Sequence, residues 1–330
     1  MTLVDGRVSV IVRFADPARL PLLDEALFSL ALQDHPDLEV VLVVHARAAP
    51  ALDRARALLE GQPWAPGATR RAIAADVPPD ADARARLLDL GLEAATGRYV
   101  AFLDDDDVVY HGCYAALVAA LRASGCAIAL GGAREAVLRP APLPPGGGHL
   151  QVERKRWFGR RPPDALRARL ELFADNFAPI HSFVLDRARL GDFPLAFDAG
   201  YDRHEDYALL LRLLARFEPD VSQLTRACAE YRLRADGSNT VLVPGLNPGR
   251  DDGPGAADPA ARAALTTTLT AAELAQVARA LRALDDLQAE REKLPARLAR
   301  ALAARVARWP RAKDAAVALA TRLDRWRGRR

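Results

Sequence analysis

The chain has 330 residues, half of them hydrophobic, and a formal net charge of +3, so it is long enough to bury a sizeable core. Every apolar run of membrane-spanning length is interrupted by a charge, and the amino terminus lacks the pattern of a signal peptide, so we expect neither a membrane span nor a secreted protein. The three cysteines show no metal-ligand spacing, which suits a reducing cytoplasm.

Strands and helices alternate along the first part of the chain. Apolar runs rich in β-branched residues predict strands, and apolar residues at helical spacing predict helices. The predicted elements are strand Val8–Val12, helix Leu20–Gln33, strand Leu38–Val44, helix Leu52–Leu59, strand Arg70–Ala75, helix Ala81–Ala95 and strand Tyr99–Leu103. Gly97 is expected to close the third helix as a C′ residue. This order predicts an α/β fold with a mostly parallel, doubly wound sheet and helices on both faces.

The second part of the chain has weaker signals. The predicted elements are helix Tyr114–Ala123, strand Ala127–Leu130, helix Leu166–Phe173, strand Phe183–Leu185 and helix Asp202–Phe217. The segment from Arg139 to His149 holds four Pro and three Gly, so we expect no regular structure there. The pattern fades after Tyr231 into a second segment rich in Pro, Gly and Asp.

These signals divide the chain into a domain, a linker and a tail. We expect a domain over residues 1–243, with one half at about 1–135 and another at about 150–243, then a linker at 244–269 and a helical tail at 270–330. Residues 291–330 carry a net charge of +10, so the remainder carries −7. Leu and Trp recur at helical spacing in this basic tail, which can pack on the acidic body or a second copy, or lie on a membrane surface. Packing is slightly favoured, and no nucleic acid is expected as a partner because no nucleic-acid-binding motif occurs.

Four consecutive carboxylates, Asp104–Asp107, follow the buried strand at 99–103. Open α/β sheets bind ligands at the carboxyl ends of their strands, where these acids would lie. Carboxylate oxygens suit hard cations such as Mg²⁺ and Mn²⁺. A solvated acidic turn that caps the next helix is an equally good interpretation of these residues alone.

A second pair of acids opens the predicted helix at 202–217. Asp206 lies one turn before Leu210 on the apolar face of that helix, so it is expected to face a cleft, a partner or water. Asp202 and Glu205 have the spacing of a capping box, which gives Glu205 a structural role. Asp206 has no such explanation, and one well-placed carboxylate suffices for a general base.

Several motifs in fixed order resemble the family-2 type bacterial glycosyltransferases, which have a GT-A fold. The resemblance covers about residues 7 to 240, and the tail lies outside it. It rests on Val8–Val12, Pro36-Asp37 before Leu38–Val44, Gly97–Asp107, His204-Glu205-Asp206 and Tyr231-Arg232.

The resemblance implies an enzyme that binds a nucleotide-sugar donor and transfers its sugar, with inversion, to a hydroxyl of a glycan or lipid-linked acceptor. It implies Mn²⁺ or Mg²⁺ as cofactor, with Asp104, Asp106 and Asp107 as the metal site and Asp206 as the catalytic base. The start of a helix favours the ionised form of Asp206. We expect a cytoplasmic protein, with attachment to the inner membrane face through the tail as an option, that takes part in surface glycan synthesis.

The resemblance also implies side chains for each substrate. The candidate donor contacts are Arg13, Asp16, Asp89, Asp104 and Arg232, and the candidate acceptor-side residues are Asn176, His181, Glu205 and Tyr231. The carboxylate that the family usually has after the second strand is replaced here by His45-Ala-Arg-Ala48. This atypical nucleotide pocket supports a second hypothesis, a non-catalytic nucleotide-sugar-binding protein or scaffold of the same fold.

Overall fold

The computed structural model describes residues 2–45, 50–78, 83–141, 149–159, 161–174, 176–199 and 204–234. The predicted linker at 244–269 and basic tail at 270–330 lie outside these residues. In the described part of the chain, no helix has both the length and the apolar character needed to cross a membrane.

The strands are β1 Val4–Phe14, β2 Leu38–Val44, β3 Thr69–Ala74, β4 Gly97–Asp104, β5 Val108–Val109, β6 Ile128–Ala141, β7 His149–Trp157, β8 Phe183–Asp186 and β9 Pro219–Arg234. The helices are α1 Leu20–Ala31, α2 Leu52–Gly61, α3 Arg84–Ala94, α4 Cys113–Ser124, α5 Ala165–Ala174, α6 Arg187–Leu190 and α7 Glu205–Arg216.

Within the described residues the strands form one mixed sheet in the order β3-β2-β1-β4-β8-β6-β9-β5, and β7 pairs with β6. The first four strands in this order are parallel, as expected for β-α-β units. Strand β8 is antiparallel to both β4 and β6, while β9 runs parallel to β6. The α/β fold class is confirmed. The sheet was predicted to be mostly parallel, and its parallel neighbours are β3, β2, β1 and β4, together with the pair β6 and β9.

Both faces of the sheet are covered, because successive side chains of a strand point to opposite faces. In β1, Val8, Val10 and Val12 pack with α1, α2 and α4 on one face, whereas Ile11 packs with α3, α5 and α7 on the other. Strand β2 is buried along its whole length. This double burial explains the unbroken apolar runs that predicted these strands.

Two local expectations, for the Pro- and Gly-rich segment and for Gly97, were wrong, one predicted strand is longer than expected, and one strand was missed. Strand β6 extends to Ala141 and β7 begins at His149, so the ends of the Pro- and Gly-rich segment are in strands; residues 142–148 lie outside the described part. The expected short strand at 127–130 is therefore the start of a long one. Gly97 begins β4 rather than closing α3, whose cap is Ala95. Strand β9 was not predicted, because its polar and apolar residues follow no clean alternation.

Helix α3 contacts β1 closely at Gly91. A Cβ atom added there would lie 2.2 Å from Ile11 Cγ2, in a part of the core that is fully buried. Atoms do not approach so closely, so an alanine at this position would push α3 away from the sheet.

We therefore expect Gly91→Ala to lower the free energy of unfolding by about 1–3 kcal/mol through overpacking. Gly61→Ala is the matched control, because Gly61 ends α2 with no atom within 4 Å of the added Cβ. Thermal or urea midpoints of both variants would measure the difference. Equal midpoints would show that α3 does not pack on β1 as described.

Candidate active site

The four acids form a compact cluster where β4 ends. Asp104 is the last residue of β4, and the Asp107 N–H donates to the Asp104 carbonyl at 3.3 Å, which folds the run into a turn. Asp104, Asp106 and Asp107 can each place one oxygen within 4.8 Å of the others. The three acids predicted as a metal site therefore lie close together, at the carboxyl end of β4 as the sequence indicated.

Arg13 connects this cluster to α7. It lies beside Asp104 in the parallel pair β1–β4, and its guanidinium binds both oxygens of Asp104, with Nε–Oδ1 at 2.6 Å and Nη2–Oδ2 at 2.9 Å. Its third nitrogen, Nη1, donates to Oε1 of Glu205, the first residue of α7. Burial acts to raise the pKa of Asp104, but the charge and hydrogen bonds of Arg13 outweigh it, and the pKa is lowered.

Two further arginines contact the acids. Arg19 Nη1 lies 3.3 Å from Asp105 Oδ1 and 3.5 Å from Asp106 Oδ2, and Arg234 Nη1 donates to the same Asp106 oxygen. Burial, reinforced by the charge of Asp106, raises the pKa of Asp105 well above its usual value. The positive charge of Arg19 acts against this rise, so it offsets part of the repulsion between the adjacent carboxylates.

Asp107 is held between β9 and His181. Its Oδ1 accepts the Arg232 backbone N–H at 2.7 Å, and its Oδ2 lies 3.0 Å from His181 Nδ1. Burial raises the pKa of Asp107 to about 6, although His181 acts to lower it. His181 is 2% exposed, and neither ring nitrogen has a hydrogen-bond partner among the described residues in spite of the close approach to Asp107. The ring of Tyr231 stacks on His181 with centroids 6.0 Å apart.

Helix α7 begins at Glu205, and His204 is its N-cap with a left-handed φ of 68° and no side-chain capping bond. The capping role predicted for Glu205 is therefore wrong, and Asp202 lies outside the described residues. Glu205 is the first helical residue, and its carboxylate contacts Arg13 instead of the backbone.

The environment of Asp206 differs from what helix position alone suggests. Burial, followed by the charge of Glu205, raises the pKa of Asp206 to about 6, and Asp104 adds to this while Arg13 opposes it. The effect of the helix start, which favours the ionised form, is smaller than the effect of burial. Asp206 thus lies within the electrostatic field of the acid cluster, and its carboxylate is still largely ionised at neutral pH.

Three candidate substrate contacts have local partners of their own. Asp16 accepts the Ala18 N–H at 2.9 Å and caps a short 3₁₀ turn. Asp89 accepts the Phe197 N–H at 2.9 Å, and Asn176 accepts the Ala178 N–H at 3.1 Å. Their roles toward substrate stay predictions.

The side chains of Arg232 and Arg234 have different partners. The Arg232 side chain bonds Glu25 at 2.6 Å and Glu230 at 3.1 Å, whereas Arg234 reaches Asp106. Sequence reasoning selected Arg232 and missed Arg234 and Arg19. Both missed residues stood near motifs, but choosing between neighbouring arginines required strand β9 and the turn after β1.

The donor set fits a hard divalent cation. One oxygen from each of Asp104, Asp106 and Asp107 lies within 4.8 Å of the other two, and the buried imidazole of His181 lies next to Asp107. Mg²⁺ and Mn²⁺ prefer such oxygen ligands.

One comparison with known proteins matches the part of the chain that holds most of this site. Residues 80–186, which include β4, the acid cluster and His181, match the model of Glycosyl transferase family 2. No curated protein matches the chain significantly. This segment is similar to the family-2 glycosyltransferases, as the sequence motifs predicted, and the α/β fold class expected from that resemblance is the one observed.

Solved structures similar to this chain include TarS 1-349 of S. aureus, with a TM-score of 0.45 and 17% identity over 70% of this chain and 61% of that one. Mannosyltransferase PcManGT from Pyrobaculum calidifontis, in complex with GDP-Man and Mn²⁺, has a TM-score of 0.47 and 19% identity over 69% of this chain and 57% of that one. The chain therefore spans less than two thirds of the length of these proteins.

Replacing both Asp106 and Asp107 by Asn should weaken Mn²⁺ binding at least about 10-fold, because two of three ligand carboxylates are lost. Calorimetry with Mn²⁺ would measure this, with the exposed Asp192→Asn variant as control. Unchanged affinity in the double variant would contradict the assignment of the site.

Proposed function

We propose that this protein is an inverting, divalent-cation-dependent glycosyltransferase that moves a sugar from a nucleoside-diphosphate donor to a hydroxyl acceptor. The observation that carries the proposal is the Arg13 bridge, which joins Asp104 of the acid cluster to Glu205, the neighbour of Asp206. The candidate cation site is thus joined by ion pairs to Glu205, which precedes the candidate base in α7.

Each half of the network has a separate task. Breaking the bond between sugar and phosphate leaves a diphosphate, and a cation bound at the acids would stabilise its growing negative charge. Asp104, Asp106 and Asp107 would hold that cation. Asp206 would accept the proton of the acceptor hydroxyl as that oxygen attacks the anomeric carbon from the side opposite the diphosphate, which inverts the configuration.

The biological setting is part of the proposal. Family resemblance supports a role in bacterial surface glycan synthesis with a glycan or lipid-linked acceptor, at the cytoplasmic side of the inner membrane. The basic amphipathic sequence at 270–330 supports self-association or attachment to the membrane surface.

A non-catalytic role is favoured by one feature, the missing carboxylate after β2, where His45 stands instead. A screen of UDP- and GDP-sugars with Mn²⁺ that detects released nucleoside diphosphate would separate the two functions. Metal-dependent release supports the enzyme, while donor binding without turnover in the presence of acceptors supports the scaffold.

We expect Asp206→Asn to lower the transfer rate at least about 100-fold, because no carboxylate remains to take the acceptor proton. Donor binding with Mn²⁺ should be retained, since the amide has nearly the same shape. Asp192→Asn, at an exposed site paired with Arg216, is the control and should keep full activity. Normal transfer by Asp206→Asn would rule out this residue as the base.

The pH profile provides an independent check on the base. A base acts in its ionised form, and the pKa of Asp206 is about 6, so kcat/KM should fall as pH drops through about 6. Donor affinity measured at each pH separates this loss from titration of the acid cluster. A profile that stays flat down to pH 5, with donor binding intact, would contradict the assignment.

A further inference from the structure

Two arginines converge on one carboxylate oxygen of the acid cluster. Arg19, in the turn that follows β1, and Arg234, the last residue of β9, both contact Asp106 Oδ2. Arg19 also donates to Asp105 Oδ1 at 3.3 Å. These residues come from opposite ends of the described chain, and neither belongs to the motifs that indicated the site.

Arg19 is bound much less firmly than Arg13. Arg13 fills both oxygens of Asp104 at 2.6 and 2.9 Å and reaches Glu205 as well, so it fixes the framework. Arg19 makes a single hydrogen bond to a side chain among the described residues, although a guanidinium has five N–H donors. Its side chain is also 26% exposed, so it can change partners at small cost.

We propose that Arg19 and Arg234 form a diphosphate clamp that exchanges Asp106 for phosphate oxygens when a cation binds to the acids. A cation at Asp104, Asp106 and Asp107 competes with the two guanidinium groups for Asp106. The diphosphate that accompanies the cation offers the displaced arginines new acceptors, and guanidinium groups bind phosphate in a bidentate manner. This inference rests on the proposed function.

The exchange makes the binding of cation and diphosphate interdependent. A cation alone must break ion pairs that nothing replaces, and it therefore binds weakly. A diphosphate alone meets a site in which Asp104–Asp107, Glu205 and Asp206 outnumber the three arginines that contact them. Each ligand removes the obstacle to the other, so each should raise the affinity of the other by the same factor.

The clamp would recognise the phosphate groups of the donor and not its nucleobase. This property suits a chain whose nucleotide pocket lacks the usual carboxylate after β2. It also provides a probe that needs no knowledge of the donor, because inorganic pyrophosphate carries the same charged groups.

The experiment measures Mn²⁺ affinity of the full chain with and without pyrophosphate, by calorimetry or by the electron paramagnetic resonance of Mn²⁺, corrected for the Mn²⁺–pyrophosphate complex in solution. For the unaltered protein we expect pyrophosphate to raise the Mn²⁺ affinity at least about 10-fold. Arg19→Gln and Arg234→Gln should reduce this coupling at least about 5-fold while Mn²⁺ alone binds as tightly or more tightly. Arg216→Gln, which removes an exposed arginine paired with Asp192, is the control.

The outcomes separate a clamp from a structural role. A structural role predicts that both variants lower the thermal midpoint and weaken Mn²⁺ alone, with the coupling unchanged, and this would overturn the proposal. Arg234→Lys, which keeps the charge but loses the fork of donors, should recover part of the coupling if Arg234→Gln folds poorly. Independent binding of Mn²⁺ and pyrophosphate to the unaltered protein would also overturn the clamp, even if sugar transfer occurs. Coupling without transfer from any donor would leave the clamp in place and contradict the proposed function.

Discussion

The ion pair between Arg13 and Asp104 is the interaction on which the site depends. It joins the ends of β1 and β4, and the third guanidinium nitrogen holds Glu205 at the start of α7. Without that positive charge, burial would leave these carboxylates close together and uncompensated, which is strongly unfavourable. One side chain therefore makes it feasible for acids from distant parts of the chain to share a buried region.

The sheet explains why these residues can meet. Strands β1 and β4 are parallel neighbours, so their carboxyl ends, with Arg13 and Asp104, fall side by side. Strand β9 returns parallel to β6 and brings the Arg232 backbone and the Arg234 side chain to the same acids. Helices pack on both faces of the sheet, so these residues meet at the ends of the strands and not on a sheet face.

The arginines and the acids balance one another in a way that suits an exchange of ligands. Raised pKa values at Asp105, Asp107 and Asp206 show that burial still disfavours full ionisation despite the arginines. Buried ion pairs are weak evidence for stability, because apolar residues of similar volume often stabilise a protein as well. The arrangement of the acids is therefore consistent with the proposed cation binding.

The sequence determined the local elements and the identity of the main acids. Apolar runs located β1, β2 and β4 because both faces of these strands are buried, and the motif order led from Asp104–Asp107 to Asp206. Tertiary structure decided the partners: Glu205 contacts Arg13, His181 lies next to Asp107, and the Arg234 side chain contacts Asp106. The reason is physical. Periodicity reports burial within one element, whereas an ion pair between residues 91 or 192 positions apart depends on how strands and helices are placed in space.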